Sequence, residues 1–125
     1  MIYGIGIDVV EPRRIARLVE KYGERFARRV LTQLEWPDYL KTVRPVLFLA
    51  NRFAAKEAFS KALGTGFRYP VTLQSISVVQ NTAGKPSLAF HPNLEQLVRG
   101  RGIVNHHLTI SDVEALACAC VVLET

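Results

Sequence analysis

Residues 51–66, NRFAAKEAFSKALGTG, constrain the fold of this chain more than any other stretch. With Pro45 before it and Gly64 after it, the segment predicts a long helix from about Val46 to Leu63. Alanines and phenylalanines point almost all the way round, and a helix apolar on most sides is a buried one. With Phe59 at the centre of one face, Phe48, Arg52, Ala55, Ala62 and Leu63 fall within about 60° of it at helical geometry. Glu57 and Lys61 group on the opposite side with Ala50 and Gly64, and Phe53 lies beside them. That face is built largely of small residues, which leave room for something to approach. Taken alone, Glu57 and Lys61 make an ordinary i,i+4 pair worth ~0.2–0.5 kcal/mol. A larger role needs partners from elsewhere in the chain.

The flanking sequence supplies elements to bury this helix. Residues 2–10, IYGIGIDVV, alternate and are β-branched, which predicts a strand with Asp8 near its end. Glu11-Pro12 suits a helix start, Ile15, Leu18, Val19 and Tyr22 share one face, and Gly23 is the stop. A short helix through Phe26, Val30 and Leu31 follows. Thr32 with Glu35 in the capping-box position predicts a helix around 33–43. VTLQSISVV at 71–79 reads as a strand, NTAGKP at 81–86 as a turn, and 87–90 as a partner strand. Residues 92–101 read as a short helix, and residues 106–124 as two strands around a turn near 112–114. No linker or tandem repeat interrupts the pattern. The expectation is one α+β domain over 1–125, an antiparallel sheet packed with helices around a long central one.

Charge and cysteine use narrow the function. The net charge of +5 is local: seven basic residues lie between Arg13 and Arg29 against Glu20 and Glu24. From Ala62 onward basic and acidic residues cancel, four against four. An acidic partner is implied, whether nucleic acid, membrane surface or protein. No apolar run approaches the roughly 20 residues of a spanning helix. The N-terminus lacks a positive n-region, so a cytoplasmic protein is expected. Cys118 and Cys120 read as small core residues of a strand rather than metal ligands. His106 reads as ordinary strand surface.

Asp8 ends an apolar strand, where a carboxylate is costly unless hydrogen-bonded, exposed or bound to a cation. If that strand packs beside the long helix, Asp8 and Glu57 share a divalent metal, and two carboxylates with waters and phosphate oxygens suit magnesium. Lys61 lies one turn beyond, the glycines at 64 and 66 allow close backbone approach, and Lys85 sits on a tight turn. These are parts of a phosphate-handling site.

Three blocks, GIGIDVVEPRRI at 4–15, NRFAAKEAFSKALGTG at 51–66 and HLTISDVEALACACVVLE at 107–124, with NTAGKPSL at 81–88, carry a resemblance across nearly the whole chain. The chain resembles the small bacterial 4′-phosphopantetheinyl transferases, the holo-[acyl-carrier-protein] synthase family. The resemblance implies that family's α+β fold and a homotrimer with active sites between subunits. It implies magnesium-dependent transfer of the 4′-phosphopantetheine arm of coenzyme A to a serine of apo acyl carrier protein, in fatty acid biosynthesis, with release of adenosine 3′,5′-bisphosphate. Asp8 and Glu57 match the metal-binding carboxylates, and Lys61 the lysine near the transferred phosphate. Arg44, Arg52, Lys61, Gly64, Lys85, Pro86, His107 and Thr109 match coenzyme A contacts. Thr109 stands in place of a usual serine, and Asp112 where many members have histidine. Arg14, Arg17, Leu18, Lys21, Arg25 and Arg28 match the surface that docks the carrier.

The base for the serine proton stays open between Glu57, a metal-bound water and His107. Two other classes compete with the enzyme. A nucleic-acid module explains the basic patch but leaves Asp8 and Glu57 without a purpose, and Tyr22 and Phe26 look core-facing rather than offered to bases. An inert trimeric scaffold does not explain why Asp8, Glu57 and Lys61 are all intact. Within the enzyme class, carrier domains of polyketide or nonribosomal peptide synthases are the alternative substrate.

Overall fold

The computed structural model describes all residues 1–125. Strand β1 (Ile2–Val10) leads into helices α1 (Pro12–Tyr22), α2 (Glu24–Val30) and α3 (Trp36–Lys41). The long helix α4 (Pro45–Leu63) follows, then a hairpin of β2 (Ile76–Gln80) and β3 (Pro86–Phe90), helix α5 (Pro92–Gly100), and strands β4 (Asn105–Val113) and β5 (Leu116–Glu124). The architecture is α+β, with one antiparallel sheet in the order β1-β5-β4 and a separate antiparallel β2-β3 pair.

Helix α4 is buried on nearly every side because the sheet, the helices and the hairpin all lie against it. Ala54, Ala55, Phe59, Ile76, Val121 and Leu123 belong to one apolar core, and Ile15, Ala27, Val30, Leu49, Ala50 and Ala117 to a second under α1 and α2. Pro45 opens α4, and Gly64 ends it with φ of 84°, in the left-handed region that a side chain would oppose.

What approaches the small-residue face is β1. A Cβ at Gly4 would lie 1.9 Å from the Ala62 carbonyl oxygen, and one at Gly6 1.8 Å from that of Ala58. Backbone therefore rests on backbone, and this inverts the strand. Its glycines, Asp8 and Val10 face α4, while Ile5, Ile7 and Val9 stand 60%, 56% and 55% exposed on the other face. Cys118, Cys120 and Val122 of β5 lie beside them in register, opposite Val9, Ile7 and Ile5. The two cysteines are thus free thiols on the outward face, not core residues, because the core positions of β5 are Ala117, Ala119, Val121 and Leu123.

Three local expectations change. The helix expected over 33–43 is only Trp36–Lys41, since the Glu35 side chain turns into the core and Pro37 starts a new helix. Glu35 does accept from the Thr32 N–H at 3.0 Å, but the Thr32 hydroxyl meets Ser77 at 2.6 Å instead of closing the capping box. The strand expected from residue 71 begins at Ile76, because Thr72 and Ser75 cap each other reciprocally around a single 3-10 turn, Leu73–Ser75. His106 is half-buried on the inner face, with its ring edge-on to Phe90 at 5.1 Å and its Nδ1 buried without a partner. Burial lowers its basicity, against a smaller opposing pull from Glu95.

Candidate active site

Close packing of β1 on α4 places Asp8 against Glu57 and Lys61. Lys61 Nζ donates to Asp8 Oδ1 at 3.0 Å and to the Ile7 carbonyl at 3.0 Å. All three side chains line one cavity of about 340 Å³, with Arg14 on its rim and Leu18, Phe26 and Phe53 on its wall. The Glu57 carboxylate accepts no hydrogen bond from the chain. Burial raises its pKa above the ordinary carboxyl value, the negative charge of Asp8 adds to this, and Lys61 opposes both. Asp8 and Glu57, from two elements, thus crowd one site with half-exposed Lys61 as counter-charge, while Glu11, also on the lining, pairs with Arg13 at 3.3 Å.

That donor set fits a hard divalent cation. No cluster of three or more His, Cys, Asp or Glu side chains forms a protein cage. Two carboxylates beside an open cavity are what magnesium uses when waters and phosphate oxygens complete its shell.

The expected coenzyme A contacts fall into separate places. Arg52, Gly84 and Pro86 do meet, lining a polar cavity of about 480 Å³ together with Asn51 and Asp112. That cavity shares no lining residue with the carboxylate cavity. Lys85 is exposed at the tip of the same β2–β3 turn, and Arg44 is exposed at the start of α4. Gly64 is exposed at the other end of α4. His107 and Thr109 project from the outward face of β4, where His107 Nε2 lies 2.6 Å from Glu124. Within one chain, then, neither reaches Glu57.

Arg52 is less free than expected from the sequence. It is buried, donates to the Val78 carbonyl at 2.7 Å, lies 3.8 Å from Glu35 and stacks on Phe48 at 4.4 Å. Its neighbour in this network is Lys56, which the sequence reading passed over. Lys56 Nζ is fully buried and donates to Glu35 at 2.6 Å, to the Val30 carbonyl at 2.5 Å and to the Leu73 carbonyl at 3.0 Å. The available signal was its position: Lys56 follows Ala54 and Ala55 and stands one turn from Arg52 and Ser60, on a side of the helix that is buried.

Arg14, Arg17, Lys21, Arg25 and Arg28 are exposed along α1 and α2. Arg28 is tied to Glu24 at 2.7 Å and stacked over Trp36 at 4.2 Å. Tyr22 is exposed rather than core-facing. With Leu18, Phe26 and Phe53 it lines an apolar groove of about 380 Å³ rimmed by Arg25 and Arg29. Leu18, Phe26 and Phe53 also wall the carboxylate cavity, so the two depressions adjoin.

The profile of the 4′-phosphopantetheinyl transferase superfamily matches residues 4–119. The chain belongs to that superfamily. A holo-[acyl-carrier-protein] synthase of Nitrosospira multiformis is 62% identical, over 99% of each chain. The crystal structure of the holo-[acyl-carrier-protein] synthase of Neisseria meningitidis superposes with a TM-score of 0.97 at 44% identity over 100% of both chains. That of the Bacillus anthracis enzyme in complex with CoA (3′,5′-ADP) gives 0.83 at 39% identity, covering 100% of this chain and 98% of that one. For a phosphopantetheinyl transferase, the carboxylate cavity and the basic face beside it become the parts to explain.

Proposed function

We propose that this chain, acting as a single domain over 1–125, transfers the 4′-phosphopantetheine of coenzyme A to a serine hydroxyl of apo acyl carrier protein, with magnesium bound by Asp8 and Glu57. The observation that carries the reading is the convergence of Asp8, Glu57 and Lys61 on one cavity that opens onto the basic face of α1 and α2. The serine oxygen attacks the phosphorus that bears the pantetheine arm. The bond from that phosphorus to the bridging oxygen breaks, and adenosine 3′,5′-bisphosphate leaves with the bond's electrons.

Such a transfer depends on positioning and on neutralising charge. Magnesium, when bound, supplies a Lewis acid for the phosphate oxygens. Lys61, with its head at the cavity, neutralises charge on the transferred group. Glu57 faces the cavity and accepts no hydrogen bond, and burial raises its pKa above the ordinary carboxyl value, so we assign it the serine proton. Leu18, Phe26 and Phe53 form a dry wall beside the reacting atoms. Arg14, Arg17, Lys21, Arg25 and Arg28 steer the acidic carrier onto the Leu18 face, which raises encounter rate and selects the partner.

Arg52 and the Gly84–Pro86 turn line the cavity we assign to the nucleotide end of coenzyme A, with Arg44 and Lys85 at its edge. His107 and Thr109 face away from Glu57 in their own chain, on a sheet face that also exposes Ile5, Ile7 and Val9. A contiguous exposed apolar face is unusual for a monomer. Both facts support a homotrimer whose sites form between subunits, one chain giving Asp8, Glu57, Lys61 and Gly64 and its neighbour the nucleotide contacts. No helix is long and apolar enough to cross a membrane. The reading places the protein in the cytoplasm, serving the carrier of fatty acid biosynthesis.

The test is the intact mass of apo acyl carrier protein after incubation with this protein, coenzyme A and magnesium. A gain of one phosphopantetheine unit that disappears with chelator is expected. No gain, with a carrier that another transferase does modify, refutes the reading.

A further inference from the structure

The position of Lys61 conflicts with both roles assigned around it. Two of its three ammonium protons go to β1: one to Asp8 Oδ1 at 3.0 Å, one to the Ile7 carbonyl at 3.0 Å. The Asp8 carboxylate is mostly covered, with its side chain 15% exposed, whereas the lysine side chain is 52% exposed. The lysine therefore holds an oxygen that a cation at Asp8 needs, and two of its three protons are already committed to β1 rather than free for a phosphate. Its long, half-solvated stem allows the head group to leave without moving α4.

Building on the metal-site reading above, we propose that Lys61 is the resident counter-ion of the free protein. It competes with the divalent cation for Asp8, and moves to the phosphate oxygens of coenzyme A when that cation binds. One side chain then couples the two ligands. The cation releases the ammonium that the phosphate requires, and the phosphate draws off the ammonium that blocks the cation. By linkage, each ligand tightens the other by the same factor. The arrangement also accounts for a carboxylate pair that is tolerable without metal, since a positive charge always faces it.

The test is metal binding itself, read by titration calorimetry with Mg²⁺ and by the spin signal of Mn²⁺, at fixed ionic strength and without carrier. Wild type, Lys61→Met, Lys61→Arg and Asp8→Asn are compared, each with and without saturating coenzyme A. Lys61→Met, on an exposed helical position that tolerates methionine, is expected to bind metal about tenfold more tightly than wild type when coenzyme A is absent. That advantage shrinks or reverses with coenzyme A present, so the coupling factor falls. Lys61→Arg keeps the charge and stays within about threefold of wild type, and Asp8→Asn weakens binding in both states. Equal or weaker binding by Lys61→Met without coenzyme A overturns the counter-ion role and leaves the metal site standing. Failure of wild type to bind either metal even with coenzyme A overturns the metal site and this inference together.

Discussion

Lys56→Met tests whether the charge buried inside α4 holds the molecule together. The lysine head is fully buried and its three protons are matched by three acceptors: Glu35 Oε1, the Val30 carbonyl and the Leu73 carbonyl. Burial pushes its ammonium below the ordinary lysine pKa, and Glu35 pulls the other way. Methionine nearly fills the space, so the cavity term is small. The Glu35 carboxylate, itself fully buried, is left with Arg52 at 3.8 Å as its remaining counter-charge. Breaking a buried pair on one side costs about 3–5 kcal/mol. Each orphaned carbonyl adds on the order of 1 kcal/mol. Against a total stability of roughly 5–15 kcal/mol, that is a large fraction. Together these come to about 5–7 kcal/mol, and for a chain of this length each kcal/mol moves Tm by roughly 4 °C, so Lys56→Met is expected to melt about 20–28 °C lower. Thermal denaturation at one fixed protein concentration reads the shift, which keeps the comparison independent of the proposed assembly. Adding Glu35→Gln removes the orphan charge, so the double variant should lose less than the sum of the two singles. A drop under about 5 °C for Lys56→Met, or strict additivity in the cycle, refutes the argument.

Three further outcomes are expected. Gly6→Ala places a Cβ 1.8 Å from the Ala58 carbonyl, which cannot yield as a side chain would, so β1 must lift off α4. A loss of about 3 kcal/mol in denaturant unfolding should accompany a fall in transfer rate, since Asp8 moves with the strand. Glu57 has a raised pKa when folded, so its ionisation costs stability that is present below the ordinary carboxyl pKa and lost as pH rises through the folded value. Glu57→Gln should therefore melt higher than wild type at neutral pH, with the advantage vanishing toward pH ~4, while carrier modification falls by about 10²–10⁴. Arg25→Glu should raise KM for the carrier about tenfold with kcat within about twofold, and flatten the salt dependence; an unchanged KM would remove this arginine from the docking face.

Much of the fold was legible because its boundaries are marked by residues with one strong preference. Pro12 and Gly23 bracket α1, Pro45 and Gly64 bracket α4, and NTAGKP joins β2 to β3, each through backbone restrictions that act locally. The misreadings arise where local preference is overruled. Residues 71–75 look like strand, yet Thr72 and Ser75 satisfy each other's backbone in a tighter turn. Glu35 looks like half a capping box, yet its carboxylate is drawn inward by Lys56, a partner 21 residues away. The same distance problem hides the site. Nothing in the spacing of Asp8 and Glu57 says they meet; the resemblance supplied the pairing, and the contact of Gly6 with α4 supplies its physical reason.

That contact links site construction to the unpartnered sheet face. A strand can lie this close to a helix only if its inward residues lack side chains, and β1 meets the condition with Gly4 and Gly6. Side chains alternate along a strand, so Ile5, Ile7 and Val9, between and beyond the glycines, must point the other way. Ile5, Ile7 and Val9 are therefore exposed in a single chain for the same reason that Asp8 stands beside Glu57. Shifting the strand by one residue would bury the isoleucines and remove the carboxylate from α4, so a chain with this site leaves Ile5, Ile7 and Val9 uncovered by its own elements. If the proposed homotrimer assembles through this face, a variant such as Ile7→Asp leaves the Asp8–Lys61 contact intact in each chain and separates the copies. It should elute as a smaller species in size exclusion and lose transfer activity, because the nucleotide contacts on the neighbour are gone. Full activity in a monomeric Ile7→Asp protein would show that one chain holds the whole site.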